Sequence, residues 1–362
     1  MTQDKAKLNR RRFIGTAAGA AAGASLSPWA AGALAHGGRG HGRGGDRLLP
    51  KDRIAVQLFT LRNRIADLGF EQVFRELAEI GYKWVEFAGY SAPDTNVPNP
   101  TPPPATLPSV ENVRRLLRRY RLKGIGSHIG VTQFRDNLTQ VLDDAETLGL
   151  RYIGTASEPD QLFPAAERQT VDAYRRAAEA YNMFGAAARA RGMRFYHRNH
   201  SSEFAVVDGT RLYDVLMEET DPRLVFFQLD IFWAYVGATG APAVATPSGM
   251  KSWFPNFDPI ELVWNQPERF PLFHAKDGVR TEVGQPTSFG WQFVDPGDGN
   301  VPLWALFNGL ETDEHFYIVE RDNHNYPGPA PPAGPVRNAA QLATAQRGFE
   351  YLAGLRERHF GD

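Results

Sequence analysis

Residues 194–233, RFYHRNHSSEFAVVDGTRLYDVLMEETDPRLVFFQLDIFW, contain one complete strand–helix–strand unit. The apolar and aromatic run over 194–200 predicts a strand. The stretch near 209–220 has the spacing of an amphipathic helix, and the apolar run over 224–233 predicts the next strand. Two strands joined by a helix form the basic unit of a parallel α/β sheet, and the same order recurs on both sides of this segment.

The repeated unit predicts a barrel. The predicted strands cover 54–61, 83–90, 123–130, 151–157, 194–200, 224–233, 269–277 and 315–322. The predicted helices cover 70–81, 110–121, 136–149, 166–192, 209–220 and 339–355. Eight strands with intervening helices over roughly 300 residues are typical of one (β/α)8 barrel. An open doubly wound sheet is the alternative, but no G-x-G-x-x-G phosphate loop follows the first strand. We therefore expect the α/β class and a single (β/α)8 TIM barrel.

The composition excludes several classes of site. The chain has 362 residues, of which 42% are hydrophobic, and its formal net charge is -1. This near-neutral balance gives no reason to expect nucleic acid as a partner. The sequence contains no cysteine, so disulfides, thiolate nucleophiles and cysteine-based zinc sites are excluded.

The N-terminus predicts an export signal. NRRRFI (9–14) is followed by an apolar and small-residue stretch and then by ALA (33–35), an A-x-A cleavage pattern. This order resembles the twin-arginine signal, so we expect residues 1–35 to engage the twin-arginine translocation machinery and to be removed. Residues 36–52 would form a Gly-rich linker and 53–362 the barrel. The mature protein is expected in the periplasm or outside the cell, without a membrane anchor; a basic disordered tail or an uncleaved anchor are the alternatives.

Polar side chains end six of the predicted strands. They are Glu86, His128, His200, Asp230, His274 and Glu320. In a barrel the carboxyl ends of the strands converge on one axis. Asp, His and Glu at the ends of three successive strands suit a divalent cation such as Mn, Zn, Co or Mg, which would polarise a carbonyl and stabilise an enediolate. The alternative for each residue alone is a hydrogen-bonded rim residue, or an ion pair with a neighbour such as Arg321.

Strand five poses a question of direction. Side chains alternate across a strand, so Tyr196, Arg198 and His200 share one face and Phe195, His197 and Asn199 share the other. Only one of these two sets can point into a site.

Several segments resemble the sugar phosphate isomerase/epimerase family of xylose-isomerase-like TIM barrels. They are IAVQLFTLR (54–62), FRELAEIGYKWVEFAGY (74–90), LDIFW (229–233), FPLFHAKDG (270–278) and YIVERD (317–322), and the resemblance extends over most of 53–355. It implies deprotonation beside a metal-bound carbonyl as the shared chemical step. Members isomerise or epimerise sugars, dehydrate inososes, or cleave 3-keto-glycosides.

The resemblance also implies metal ligands. By position it assigns Asp230, His274 and Glu320 to the metal, with Glu320 doubling as an acid/base. Related sequences often carry His-Asn-His-x-x-Glu-Phe on strand five, where this chain has RNHSSEF (198–204), so Arg198 replaces the first histidine. Arginine cannot ligate a metal. The fourth ligand is therefore His200, or His197 after a one-residue insertion, or the metal is held by three residues and water. The family pattern favours the parity that turns Arg198 and His200 inward.

Further residues are candidates for substrate binding and proton transfer. The substrate-binding candidates are Arg198, Trp233, Lys276, Asp277, Glu86 and His128, and Glu203 or His200 would serve the substrate face opposite Glu320. The guanidinium of Arg198 could bind a carboxylate, a phosphate or an enediolate oxygen. It could equally pair with Glu203 or Glu86, and Trp233, Lys276 and Asp277 could equally be rim residues.

We therefore expect an exported, metal-dependent isomerase or epimerase that acts on a small sugar or keto-sugar derivative. The alternative enzyme is a keto-glycoside lyase or hydrolase, or a dehydratase, that uses the same enediolate step. The extracytoplasmic location favours it, because phosphorylated sugars are scarce there. The non-enzyme alternative is a carbohydrate-binding barrel without catalysis, which Arg198 would support.

Replacing Arg10, Arg11 and Arg12 by lysine is expected to keep the protein inside the cell, because the export receptor reads arginine rather than charge alone. Cell fractionation with mass spectrometry of the N-terminus measures this. The wild-type protein should be found outside the cytoplasm and begin at His36. A lysine variant exported and cleaved like the wild type would contradict the twin-arginine assignment.

Overall fold

The computed structural model describes residues 47–89, 108–238, 245–246, 249–250, 252–253, 257–280, 290–310, 312–322 and 334–357. The predicted export signal and most of the predicted linker, residues 1–46, lie outside these ranges. Within the ranges, no helix combines the length and the apolar character that crossing a membrane requires.

Eight parallel strands of the described chain form a nearly closed barrel. They are β1 (Ile54–Gln57), β2 (Trp84–Phe87), β3 (Lys123–Ser127), β4 (Tyr152–Thr155), β5 (Arg194–Arg198), β6 (Val225–Asp230), β7 (Leu272–Ala275) and β8 (Phe316–Val319). Their hydrogen-bonded order is β3-β2-β1-β8-β7-β6-β5-β4. On the remaining side, the Ile129 N–H donates to the Gly154 carbonyl at 2.7 Å beside a parallel bridge from His128 to Gly154. The predicted single (β/α)8 barrel is confirmed.

Helices connect the strands. They are α1 (Arg62–Ile80), α2 (Val110–Arg119), α3 (Val131–Leu148), α4 (Val171–Ala190), α5 (Leu212–Glu219), α6 (Ile231–Ala238), α7 (Pro259–Trp264), α8 (Leu303–Asn308) and α9 (Pro335–Gly354). Their ends follow capping rules: the Thr170 side chain accepts a hydrogen bond from the Ala173 N–H at the start of α4, and Gly81 ends α1 with φ 117°. Short antiparallel pairs lie outside the barrel, formed by Ala205–Val207 with Thr210–Arg211 and Ser252–Trp253, by Asp277–Arg280 with Trp291–Val294, and by Ala245–Thr246 with Gly249–Met250.

All eight predicted strands are longer than the observed ones, and two of them run into helical turns that side chains at the strand ends begin. The predicted strand over 224–233 ends at Asp230, whose Oδ1 accepts the Trp233 N–H at 3.0 Å and so begins α6. The predicted strand over 54–61 ends at Gln57, whose Oε1 accepts the Phe59 N–H at 3.1 Å at the start of a 3-10 turn. Apolar content alone did not reveal these stops.

The barrel packing begins before the predicted boundary at residue 53. Leu48 and Leu49 are buried, and the Leu48 N–H donates to the Leu355 carbonyl after the last helix at 3.0 Å. The end of the predicted 36–52 linker therefore belongs to the folded body, where it joins the two ends of the barrel domain.

The inside of the barrel is apolar at the amino end of the strands. Its buried side chains are Ala55, Trp84, Ile125, Tyr152, Tyr196, Leu272, Phe316 and Ile318, with Phe226 packed against them. The guanidinium of Arg151 lies 4.6 Å from the Trp84 ring centre, and that of Arg194 lies 4.9 Å from the ring of Phe226. These apolar side chains fill the amino end of the barrel interior, and the charged side chains of the candidate site lie at the carboxyl end. On β6, β7 and β8, the side chains of Phe226, Leu272, Phe316 and Ile318 line this interior.

Gly154 on β4 is required by close packing. A Cβ atom at this position would lie 2.1 Å from the Tyr196 carbonyl oxygen on the neighbouring strand β5. Because this contact is with backbone, Gly154→Ala is expected to lower the free energy of unfolding by about 1–3 kcal/mol, the usual cost of overpacking. Urea denaturation measures the change. Gly354→Ala is the matched control, since nothing lies within 4 Å of its Cβ position. Equal stability of the two variants would contradict the strand packing.

Candidate active site

Charged side chains from five strands converge at the carboxyl end of the barrel. They are Glu86 from β2, Arg198 from β5, Asp230 from β6, His274 and the following Lys276 from β7, and Glu320 directly after β8. Every one of them is at most 3% exposed. Buried charges persist only when they are paired, so the contacts within this group decide what it can do.

Two carboxylates share two cations at the centre of the group. Lys276 Nζ lies 2.8 Å from Asp230 Oδ2 and 2.7 Å from Glu320 Oε2. Arg198 Nη2 donates to the same two oxygens, at 2.5 Å and 3.0 Å. Burial would raise the pKa of both carboxyls, but the two cations hold both pKa values below the usual range. We call Asp230, Glu320, Arg198 and Lys276 the charge quartet.

His274 lies between two carboxylates. Its Nδ1 is 2.7 Å from Glu320 Oε2, and its Nε2 is 2.6 Å from Glu86 Oε2. Burial alone would lower the pKa of this imidazole, but Glu320 and Glu86 raise it to about 10. His274 is therefore a third positive group of the site at neutral pH.

Glu86 supports His274 from below. Its carboxylate accepts hydrogen bonds from Tyr196 Oη at 2.7 Å, Gln228 Nε2 at 2.7 Å and Gln57 Nε2 at 2.8 Å. Burial opposes ionisation, yet His128, His274 and these donors lower the pKa of Glu86 to about 2. The substrate-binding role of Glu86 remains a prediction; in this structure protein donors bind its oxygens and it holds His274.

His128 lies beside this layer. Its Nε2 is 2.7 Å from Gln228 Oε1, and its ring centre is 5.3 Å from that of His274. Burial lowers the pKa of His128 to about 4, so the ring is neutral. The structure brings this substrate-binding candidate to the edge of the charged group.

Strand five has the parity that turns Arg198 inward. Tyr196 lies in the barrel interior, while His197 faces the helices and its Nε2 is 3.5 Å from Glu203 Oε1. The His197 ring lies against Tyr181, with ring centres 5.6 Å apart. The alternative in which an insertion makes His197 a metal ligand is therefore wrong.

Glu203 faces away from the charge quartet. Its Oε2 accepts the His200 N–H at 3.1 Å and the Ser202 hydroxyl at 3.0 Å, and it is fully buried. Burial would raise the pKa of Glu203, but His197 and His200 lower it to about 2. The catalytic role of Glu203 remains a prediction; in this structure its carboxylate holds the turn after β5.

His200 positions Arg198. Its Nε2 lies 2.5 Å from Arg198 Nη1, and burial together with this guanidinium lowers the pKa of His200 to about 3. The neutral ring therefore accepts the hydrogen bond. Its nitrogen is not part of the candidate ligand groups among the described residues. The roles of His200 as metal ligand and catalyst remain predictions; in this structure its lone pair is directed to Arg198.

Asp277 holds a loop. Its Oδ1 accepts the N–H groups of Gly278 and Val301, and its Oδ2 accepts those of Gly297 and Gly299, all at 2.8–3.1 Å. The side chain is buried. Four backbone donors bind the carboxylate, which favours a structural role, while its role in substrate binding remains a prediction.

Trp233 and Asp322 form the rim above the quartet. Trp233 Nε1 donates to Asp322 Oδ2 at 3.2 Å, and Asp322 Oδ1 lies 2.8 Å from Lys276 Nζ. The Trp233 ring is partly exposed and could stack on a sugar face, as predicted. Asp322 is not among the residues predicted from the sequence. It lies two residues beyond Glu320, the spacing that places two side chains on the same side of an extended chain.

Among the residues that the structure describes, two groups of side chains have ligand atoms close enough for one metal ion. They are Glu86, His128 and His274, and Asp230, His274 and Glu320, with the atoms of each group within 4.8 Å of one another. The second group is the predicted ligand set. However, Lys276 and Arg198 already bind the carboxylate oxygens of that set, so the residues do not fit a divalent ion in this arrangement.

Comparison with known proteins places the fold. The model of the xylose isomerase-like TIM barrel family matches residues 74–347. A solved sugar phosphate isomerase/epimerase from Parabacteroides distasonis ATCC 8503 superposes with a TM-score of 0.60 and 19% identity, covering 84% of this chain and 94% of that one. No curated protein matches the sequence.

Two further solved structures show how varied the proteins with this fold are. An IOLI protein with a bound zinc atom has a TM-score of 0.55 and 12% identity, covering 83% of this chain and 98% of that one. A probable 3-DHS dehydratase, AsbF, from Bacillus anthracis has a TM-score of 0.52 and 14% identity, with the same coverage. Some relatives thus bind zinc, while identities this low establish only a common fold.

Asp277→Asn separates a structural from a substrate-binding role. The amide replaces one acceptor oxygen by a donor that faces backbone N–H groups, so we expect the free energy of unfolding to fall by about 2–4 kcal/mol. Urea denaturation without ligand measures the loss. Asp298→Asn in the same loop is the control, because its side chain is exposed. Unchanged stability of Asp277→Asn would contradict the loop-holding role.

Proposed function

The chain belongs to the family of xylose isomerase-like TIM barrels, and we propose that it is an enzyme that moves a proton at the carbon next to a carbonyl group of a sugar or keto-sugar derivative. The reaction class is isomerisation or epimerisation.

One observation carries this proposal. The Glu320 carboxylate lies within hydrogen-bond distance of Lys276, Arg198 and His274, so a proton acceptor stands directly beside three positive donors. Deprotonation next to a carbonyl needs both parts: a base for the proton, and donors for the oxygen on which negative charge develops. The group lies at the carboxyl end of the barrel strands, where barrel enzymes hold their substrates.

The charged side chains would have different roles in the reaction. Lys276 and Arg198 would donate hydrogen bonds to the substrate carbonyl oxygen and to the enediolate oxygen that forms from it. When a substrate oxygen takes up these donors, Glu320 loses part of the compensation that keeps its pKa low, and its basicity rises. Glu320 would then accept the proton from the neighbouring carbon and return it to the adjacent carbon, which gives the isomer. An epimer would require a second proton donor, such as water, on the opposite face of the first carbon.

The substrate class follows from the rim and from the family. Trp233 and Asp322 stand above the quartet as a ring and a carboxylate, a combination suited to a sugar face and its hydroxyl groups. A protein of the same fold is called a sugar phosphate isomerase/epimerase. Together with the predicted export signal, this supports an unphosphorylated sugar derivative met outside the cytoplasm.

A divalent cation remains a prediction of the sequence for this function. The fold also occurs in a protein that contains zinc. In this chain Arg198 and Lys276 neutralise the negative charges of the predicted ligands Asp230 and Glu320. The proposed proton transfer therefore uses protein groups alone.

Glu320→Gln tests the proposed base. A panel of aldoses, ketoses, oxidised sugars and keto-glycosides is incubated with the enzyme in D2O, and mass spectrometry measures deuterium at the carbon beside the carbonyl. The wild type is expected to exchange this hydrogen, and the variant to do so about 10²–10⁴-fold more slowly, since the amide cannot accept the proton. Glu314→Gln, an exposed change at the opposite end of the same strand, is the matched control.

The products distinguish the reaction types. An isomer or epimer supports the proposed class, whereas an unsaturated product or a released aglycone indicates the dehydratase or lyase branch. Sugar binding without exchange indicates a carbohydrate-binding barrel. The assignment of Glu320 as the base would be contradicted if Glu320→Gln exchanged deuterium within a few-fold of the wild-type rate while circular dichroism showed an intact fold.

A further inference from the structure

The positive charge at the centre of this site comes from two side chains, Lys276 and Arg198. The oxygens that the predicted ligand set would offer to a metal are Asp230 Oδ2 and Glu320 Oε2. Lys276 Nζ contacts both, at 2.8 Å and 2.7 Å, and Arg198 Nη2 contacts both, at 2.5 Å and 3.0 Å. Two cationic side chains therefore converge on carboxylate oxygens of the predicted ligand residues Asp230 and Glu320.

The charge quartet is neutral without an ion. Asp230 and Glu320 contribute two negative charges, and Arg198 and Lys276 contribute two positive charges. All four are at most 3% exposed. A divalent ion added here would bring two further positive charges into a buried space already occupied by an ammonium and a guanidinium, which is unfavourable at low dielectric.

The two cations cannot easily leave. Arg198 is held by His200 at Nη1 and by Asp230 and Glu320 at Nη2. Lys276 directly follows strand β7 and has a third acceptor, Asp322 Oδ1 at 2.8 Å. Because both side chains are buried, moving either one to make room for a metal would break several charged hydrogen bonds at once.

On strand five, Arg198 adds a positive charge to the site and cannot act as a metal ligand. Arg198 ends strand five and points at the oxygens of Asp230 and Glu320, and a guanidinium has five donors and no lone pair for a metal. The position that would complete a metal site therefore repels the ion. His200, two residues further on, accepts a hydrogen bond from Arg198 and does not lie in the candidate ligand groups among the described residues.

We propose that Lys276 and Arg198 replace the metal ion in this chain, so that the site is metal-independent and carries its positive charge on side chains. This inference rests on the proposed function only for the use of that charge, which is to hold the developing oxyanion of the substrate. The absence of metal binding stands apart from any substrate.

Metal content tests the proposal directly. The purified full-length protein is incubated with Zn²⁺, Mn²⁺, Co²⁺ or Mg²⁺ and desalted, bound metal is measured by mass spectrometry, and Tm is measured with each ion and with EDTA. We expect no stoichiometric ion and no change in Tm for the wild type. One ion per chain that is lost in Asp230→Asn would overturn the proposal. An ion that survives Asp230→Asn but is lost in His128→Ala lies in the other candidate group, beside His274, and would also overturn the proposal. An ion that survives both substitutions lies elsewhere in the chain and agrees with the proposal.

A gain of function provides the second arm. The double variant Arg198→His, Lys276→Gln removes both cations and supplies a ligand beside Asp230, His274 and Glu320. We expect it to retain one divalent ion per chain and to gain several degrees in Tm when the ion is added, because a ligand that binds only the folded state stabilises it. Arg194→His is the matched control, since it makes the same change at the opposite end of β5 and should bind no ion.

Activity separates this inference from the proposed function. Deuterium exchange by the wild type that persists in EDTA supports both. Exchange that EDTA abolishes and Mn²⁺ restores would keep the proposed reaction and overturn the metal-free site. Lack of exchange together with lack of metal binding would contradict the reaction alone.

Discussion

The carboxyl end of this barrel depends on one interaction, the sharing of two cations by two buried carboxylates. Asp230 and Glu320 come from strands on either side of β7, while Arg198 and Lys276 come from β5 and from the end of β7. Removing any one member would leave a buried charge without compensation, which costs more than the pair itself contributes to stability. The quartet therefore holds the ends of four neighbouring strands, β5 to β8, in register, and it fixes the atoms that a substrate would meet.

Buried residues beneath and beside the charge quartet hold its members in position. Glu86 accepts donors from three strands and holds His274, while His200 holds the guanidinium of Arg198. Such fixed donors resemble a preorganised oxyanion site, where the dipoles are set before the reaction begins. A bound ion would supply one concentrated charge; two side chains supply directional hydrogen bonds, which can select the position of a substrate oxygen.

Much of this arrangement could be predicted from the sequence. The barrel followed from the repeated strand–helix order, and the meeting of Asp230, His274 and Glu320 followed from their positions at strand ends. Parity placed Arg198 and His200 on one face of strand five, and the family resemblance favoured the inward direction of that face. The partners of Asp277 and Glu203 could not be predicted, because they lie on loops whose path is set by tertiary packing. The end of β6 was misplaced because Ile231, Phe232 and Trp233 are apolar in either a strand or a helix. The sequence also indicates ligands by residue type, whereas the place of Lys276 between two of them appears only in three dimensions.

The central claim is that side-chain cations take the place of a metal ion. The most direct measurement is anomalous diffraction from crystals of the full-length protein grown with Mn²⁺. We expect no anomalous peak among Asp230, His274 and Glu320, with Lys276 Nζ within hydrogen-bond distance of both carboxylates, as in the present structure. A peak between these three residues, with Lys276 or Arg198 turned away from them, would contradict the account.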